Sequence, residues 1–325
     1  MNFITTLGGN YPRIGDEKKL QKLRRTIDQW EKGKKTEQDL ARAQDEMTRC
    51  AIDEQIEAGI DLVTDGQIRW TDPVSHLLRN ARNVAIKGLL RFYDTNFYFR
   101  QPEISGPVGG NGAVTREEFA FARAHSTRPV KPVLTGPHSL ASLSLRKGVS
   151  LPDAVKSLAA LVAAEVEALA AAGANLIQLD EPEILRRPGD FPLLAEALAI
   201  VCRKKGPAKI LLMSYFGDAT PHLGRFQELP VDVLGFDFTY APGLPAALAS
   251  SGFPKPLCLG VVDGRNTKME KATEVARVVA AALKKSSADS AYLSTSCGLE
   301  YLPRNRAFDK LELLADVKAA LQKST

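Results

Sequence analysis

Little in this chain suits cross-linking or crossing a membrane. Its 325 residues include four cysteines, Cys50, Cys202, Cys258 and Cys297, far apart and with no Cys-x-x-Cys pair. That excludes a disulfide framework and fits a reducing cytosol. No charge sign dominates either. The net charge is +5, and its clusters at Lys18 to Arg25, Lys32 to Lys35 and Arg203 to Lys205 read as solvated helix faces. No basic run interleaved with aromatics argues for nucleic acid. Long hydrophobic runs are missing as well. The most apolar region, 158–179, carries Glu165 and Glu167 at helical spacing, so it reads as a packed helix followed by a strand, not as a membrane span. The first residues, "MNFITTLGGN", lack the basic start and apolar core of a signal peptide.

What is present is repetition of one kind. Eight short β-rich runs recur: 3–9, 60–66, 131–137, 175–182, 209–217, 232–238, 256–264 and 290–298. Amphipathic segments such as 38–58, 152–172, 190–204 and 270–285 separate most of them, and 305–322 closes the chain. Strand–helix alternation implies parallel strands joined by right-handed crossovers, and eight units point to a closed (β/α)8 TIM barrel. The exception is 83–115, aromatic and alternating, which reads as a β-hairpin inserted after the second strand. Its aromatics either pack on the barrel rim or line a substrate mouth. No linker or repeat divides the chain, so residues 1–325 are expected to form a single domain.

In such a barrel the active site lies at the carboxyl ends of the strands. Those ends carry Gly8-Gly9, Asp65-Gly66-Gln67, Thr135-Gly136, Asp180-Glu181, Ser214-Tyr215, Asp237, Asp263 and Cys297. Helix or turn capping accounts for Asp65 and Asp263. It does not account for two adjacent carboxylates and a proline after "LIQL", so at least one of Asp180 and Glu181 is expected to face the cavity.

The blocks "TTLGGNYPRIG", "KPVLTGP", "LIQLDEP", "SYFGDATPHL" and "STSCGLEYLP" occur in the order seen in cobalamin-independent methionine synthases, which this chain resembles over nearly its whole length. The resemblance implies a barrel of the methionine synthase/uroporphyrinogen decarboxylase-like type. It also implies methyl transfer to the thiol of homocysteine, with Zn2+ holding the sulfur as a thiolate. The donor would be a methyl-folate or a methyl-corrinoid protein. The family's zinc ligands are a His-x-Cys pair after the fifth strand, a Glu after the sixth and a Cys after the eighth. Here those positions fall on Met213 and Tyr215, on Asp237, and on Cys297. Met213 and Tyr215 are not zinc ligands.

Of the four histidines, only His138, just after "TGP", lies near the expected rim, where it is a candidate nonstandard metal ligand beside Cys297 and Asp237. His76, His125 and His222 fall in helix-like or helix-start segments, where exposure or capping is expected. The resemblance places the substrate amino acid against Leu7, Gly8, Gly9, Gln67, Asp180 and Tyr215, with Asp180 meeting its ammonium. "SYFGDATPHL", "DGRN" and "DTNFYF" are more like the zinc-free first barrel of the two-barrel synthases. This leaves a second class of function open: a zinc-less paralogue that binds a folate-like or anionic ligand, or docks on a separate catalytic barrel.

Overall fold

The computed structural model describes residues 1–110 and 114–323; part of the expected 83–115 excursion, 111–113, lies outside them. The strands are β1 (Asn2–Thr5), β2 (Arg82–Arg91), β3 (Tyr98–Gly109), β4 (Val133–Thr135), β5 (Leu145–Arg146), β6 (Leu176–Asp180), β7 (Lys209–Ser214), β8 (Val233–Asp237), β9 (Leu257–Val262) and β10 (Ser290–Thr295). The helices are α1 (Lys22–Glu31), α2 (Glu37–Glu57), α3 (Arg116–Ala124), α4 (Pro137–Leu143), α5 (Leu151–Ala171), α6 (Glu183–Arg186), α7 (Phe191–Cys202), α8 (Leu223–Glu228), α9 (Leu244–Ser251), α10 (Ala272–Ala282) and α11 (Arg304–Lys323). Seven strands pair in parallel in the order β1-β10-β9-β8-β7-β6-β4. Every residue of β6 and β8 is buried, as expected of strands covered on both faces.

The eighth stave is the run at 60–66, and it is less regular than its sequence suggests. It forms one parallel bridge, Val63 with Val130, rather than a ladder. Side chains take over the missing ladder bonds. Asp61 accepts from the Thr5 N–H, the Asp61 N–H donates to Thr5 Oγ1, and the Thr64 N–H donates to Gln55 Oε1. The Asp61–Thr5 bonds and that from Leu62 N–H to the Thr5 carbonyl hold the run against β1. Backbone bonds from the Val63 N–H to the Pro129 carbonyl and from the Lys131 N–H to the Val63 carbonyl hold it against the segment leading into β4, closing the TIM-barrel-like sheet.

The helices start where short polar side chains can take up free N–H groups. Thr36 and Asp39 form a capping box ahead of α2, and Ser150 caps α5 through the Asp153 N–H. The apolar region singled out in the sequence resolves into α5 and β6. Among the described residues, no helix is long and apolar enough to cross a membrane. The inserted hairpin pairs β2 with β3 in antiparallel fashion, and β5 adds to it as a third strand that its two-residue length had concealed. Phe92 and Phe99 are buried beneath it, while Tyr93, Asp94, Asn96 and Phe97 at its tip reach over the barrel mouth.

One close approach fixes the seam between the first and last strands. A Cβ on Gly8 would stand 2.3 Å from the carbonyl carbon of Cys297 and 2.7 Å from the Gly298 nitrogen. Those are backbone atoms, which cannot swing aside. Gly8→Ala should therefore destabilise the fold by about 3 kcal/mol, seen as a lower urea midpoint at unchanged slope. A midpoint equal to that of the wild type would mean the seam can part.

Candidate active site

Asp180 and Glu181 face different ways, because consecutive residues at a strand end alternate sides. Glu181 turns to α4, where Oε1 accepts the His138 N–H at 2.9 Å and Oε2 accepts the Ser139 N–H at 2.7 Å and its hydroxyl at 2.6 Å. It is a buried cap for a helix start. A Cβ on Gly136 would lie 2.2 Å from Glu181 Oε1, so the "TGP" and "DEP" blocks are two halves of one contact. Asp180 turns into the barrel.

There it ends a chain of hydrogen bonds that begins at Lys131. The Lys131 ammonium, fully buried, donates to the Leu7 carbonyl at 2.9 Å and to Gln178 Oε1 at 2.5 Å. Gln178 Nε2 donates to Asp180 Oδ1 at 2.7 Å and to the Gly8 carbonyl at 3.3 Å. The Tyr215 hydroxyl donates to Asp180 Oδ2 at 3.3 Å. Burial pushes Asp180 up to about 7, against the lowering pull of Gln178, Lys131 and Tyr215. Burial pulls Lys131 down to about 8. A carboxyl poised near neutrality under an enclosed rim suits ammonium binding or proton transfer.

The other rim residues gather beside this chain. Asp237 Oδ1 accepts the Thr239 N–H and hydroxyl at 2.8 and 2.6 Å, and Oδ2 accepts the Phe216 N–H at 3.3 Å. Burial nevertheless raises Asp237 to about 6. The Cys297 thiol donates to the Gly298 carbonyl at 3.4 Å, and burial, followed by the charge of Asp237, pushes its pKa well up. Asp180, Tyr215, Asp237 and Cys297 thus meet at the carboxyl end of the barrel, under one cover.

The donor set does not fit zinc. At the position of the family's histidine, the Met213 thioether fills the barrel interior. A Cβ on Gly235 would lie 2.5 Å from its sulfur, and one on Gly260 would lie 3.0 Å from its Cε. Tyr215 is engaged with Asp180. His138 stands on α4, its Nε2 3.0 Å from Asp190 Oδ2 and its Nδ1 4.0 Å from Glu181 Oε2, away from Cys297 and Asp237. Among the described residues, no group of three or more His, Cys, Asp and Glu side chains is arranged to hold a metal ion.

The remaining expected contacts are partly committed to the fold. The Gly8 N–H donates to Thr295 Oγ1 at 2.9 Å, and Gly9 has a φ of +122°. Gln67, at a φ of +49°, spends its amide on the Val133 carbonyl at 3.1 Å. Asp65 and Asp263 accept the N–H groups two residues on, the turn-capping role expected of them. His76 differs from expectation. It is buried, stacked on Trp70 and 3.0 Å from Glu118, because Trp70 and α3 close over it.

The hairpin tip roofs the site. Tyr93 meets Phe216 edge-on at 5.1 Å, Phe97 meets Tyr301 at 6.2 Å, and Asp94 pairs with Arg265 at 2.8 Å. Beside this roof a cleft of about 520 Å³ runs between Asp94–Asn96, Asp263–Thr267 and Tyr301. The excursion both packs and lines the mouth. Phe216, at a φ of +64°, is held in a strained conformation at the centre of these rings. Lys131 and Gln178 were not among the site residues expected from the sequence, though they lie inside the "KPVLTGP" and "LIQLDEP" motifs. The signal was available: a lysine entering a buried strand, and a glutamine alternating with apolar residues.

The family model for the cobalamin-independent synthase catalytic domain matches residues 3–320. The chain belongs to that family. The methionine synthase of Saccharolobus solfataricus is 30% identical over 310 residues, covering 94% of this chain and 91% of that protein. The methionine synthase of Sulfolobus acidocaldarius is 27% identical over 312 residues, covering 94% and 88%. In fold, the chain is similar to a B12-independent methionine synthase from Shewanella sp. W3-18-1 solved with selenomethionine, with a TM-score of 0.81 at 20% identity over 98% of both chains. A family member of this kind is a methionine-synthase-like methyltransferase barrel. The matching model is that of the catalytic domain, even though the donor set at its fifth strand has changed.

The buried charge of Asp180 makes a pH prediction. Its folded pKa lies above the unfolded value, so it favours the folded state at low pH, and that contribution is lost as pH rises through about 7. Between pH 5 and pH 8 the wild type should lose stability relative to Asp180→Asn by on the order of 2–3 kcal/mol. Urea melts at each pH check this. Parallel profiles for the two proteins would show that Asp180 carries no buried charge.

Proposed function

We propose that the chain is an S-methyltransferase that transfers a methyl group to the thiol of homocysteine, from a methyl-folate or a methyl-corrinoid protein. The observation that carries this reading is Asp180, an enclosed carboxylate at the mouth of a barrel whose whole length matches the family. Asp180 pairs with the substrate ammonium, and Tyr215 and Gln178 fix its two oxygens. The acceptor sulfur then lies toward Asp237, whose carboxylate takes the thiol proton as the sulfur attacks the methyl group. The donor leaves with the bonding electron pair. No step runs through zinc, because Met213 and Tyr215 supply no ligands for it. The four unpaired cysteines suit a cytosolic protein.

The changed donor set also favours a second reading: a paralogue without catalysis that binds a folate-like ligand or docks on a separate catalytic barrel. Methionine formation from homocysteine, assayed with methyl-folate and with methylcobalamin, separates the two. Activity with one donor is expected, and Asp180→Asn should reduce kcat/KM by about 10- to 150-fold, the span for a hydrogen bond to a charged group. Tight binding of methyl-folate without turnover would favour the paralogue. Failure to bind homocysteine at any pH would remove the first reading.

A further inference from the structure

Lys131 has no place in the reaction just proposed, yet it is among the largest fully buried side chains in the chain. A buried ammonium is retained only when its donors are answered. Here they are answered by groups from two different walls of the barrel: the Leu7 carbonyl after β1, and Gln178 Oε1 in β6. The direction of these bonds matters. An ammonium donates and cannot accept, so Gln178 must turn its oxygen to Lys131 and its Nε2 to Asp180 and to the Gly8 carbonyl. Asp180 Oδ1 must then accept, which requires that oxygen to carry no proton. On the other wall, the carbonyls of Leu7 and Gly8 both face this pair. In trans peptides the following N–H groups point the opposite way, as the Gly8 N–H does toward Thr295.

We infer that Lys131 is a positioning residue: one buried ammonium sets both halves of the proposed amino-acid site, the Leu7–Gly9 turn directly and Asp180 through the Gln178 amide. The inference rests on the functional reading above for its consequence in binding. Its link from Lys131 to Asp180 stands without substrate. Besides Lys131, the ionisable groups that bear on Asp180 are Glu181, Tyr215 and Tyr301 at the rim and Cys258 deeper in the barrel. Only Lys131 among them brings a positive charge.

Two measurements test the inference. In substrate-free protein labelled with carboxyl-13C aspartate, Asp180→Asn identifies the Asp180 signal, and Lys131→Met should move its titration midpoint up by about one unit. If Lys131→Met does not fold, Gln178→Leu keeps the ammonium, removes the relay and should move the midpoint in the same direction. An unmoved midpoint in the variant that folds overturns the inference, whatever the chain binds. In calorimetry with homocysteine, Lys131→Met should weaken binding at least tenfold in the wild type and by a clearly smaller factor in Asp180→Asn, where only the Leu7–Gly9 turn is left for it to position. Equal losses in both backgrounds would make Lys131 a general packing residue and overturn the positioning role. Absence of homocysteine binding in the wild type would count against the proposed function alone, with the titration still deciding the inference.

Discussion

An ammonium without access to water organises the interior of this barrel. Lys131 enters at the foot of β4, and nothing on that strand can neutralise it, since Val133 and Leu134 are apolar. Its hydrogen bonds therefore go across the barrel, to the turn after β1 and to β6. Burying a charge without a contacting carboxylate is unfavourable, and the lowered Lys131 and raised Asp180 pKa values are two expressions of that penalty. The arrangement persists because both charges are oriented by the same amide. Removing Gln178 would leave a buried donor facing a buried acceptor across a gap.

Around this centre the sequence blocks that mark the family act as clasps. Glu181 caps α4 only because Gly136 leaves room for its carboxylate. Asn10 reaches Glu300 and also abuts Gly298, where a Cβ would stand 1.7 Å from Asn10 Oδ1. The first clasp ties β4 to β6, and the second ties β1 to β10. Each joins neighbouring staves of the barrel at the functional end. The glycines in these motifs are thus demanded by atoms from a distant part of the sequence.

That division explains what could be read from the sequence and what could not. The β-rich runs and the helical spacing between them are local properties, and they located seven of the barrel strands and the long helices α2, α5, α7, α10 and α11 to within a few residues. The stave at 60–66 read as an ordinary strand because Thr5, Gln55 and Asp61 gave no local sign that their side chains would replace ladder bonds. Asp180 and Cys297 were legible as rim residues from their position after apolar runs. Lys131 was not, because its role depends on Leu7 and Gln178, more than a hundred and more than forty positions away. His138 looked like a possible ligand by proximity in sequence to the rim. The short helix α4 carries it instead toward Asp190.

The fifth strand shows what replaces a metal's donor set in this barrel. A histidine and a cysteine in that strand would bring two strong ligands beside Asp237 and Cys297. Met213 and Tyr215 bring a thioether and a phenol instead. The thioether is accommodated by glycines on both following strands, Gly235 and Gly260, so its bulk is matched by space cleared nearby. The phenol is turned to Asp180 and packs edge-on against Phe216 at 4.7 Å, joining the ring cluster that the hairpin tip completes. The substitutions are therefore coordinated with their neighbours in volume and in hydrogen bonding. Strands that in the family's zinc barrels surround an ion here surround a carboxylate held by a glutamine and a tyrosine, the glutamine itself oriented by a lysine. A methyl transfer at this mouth would draw its electrostatics from that network and from Asp237 beside it.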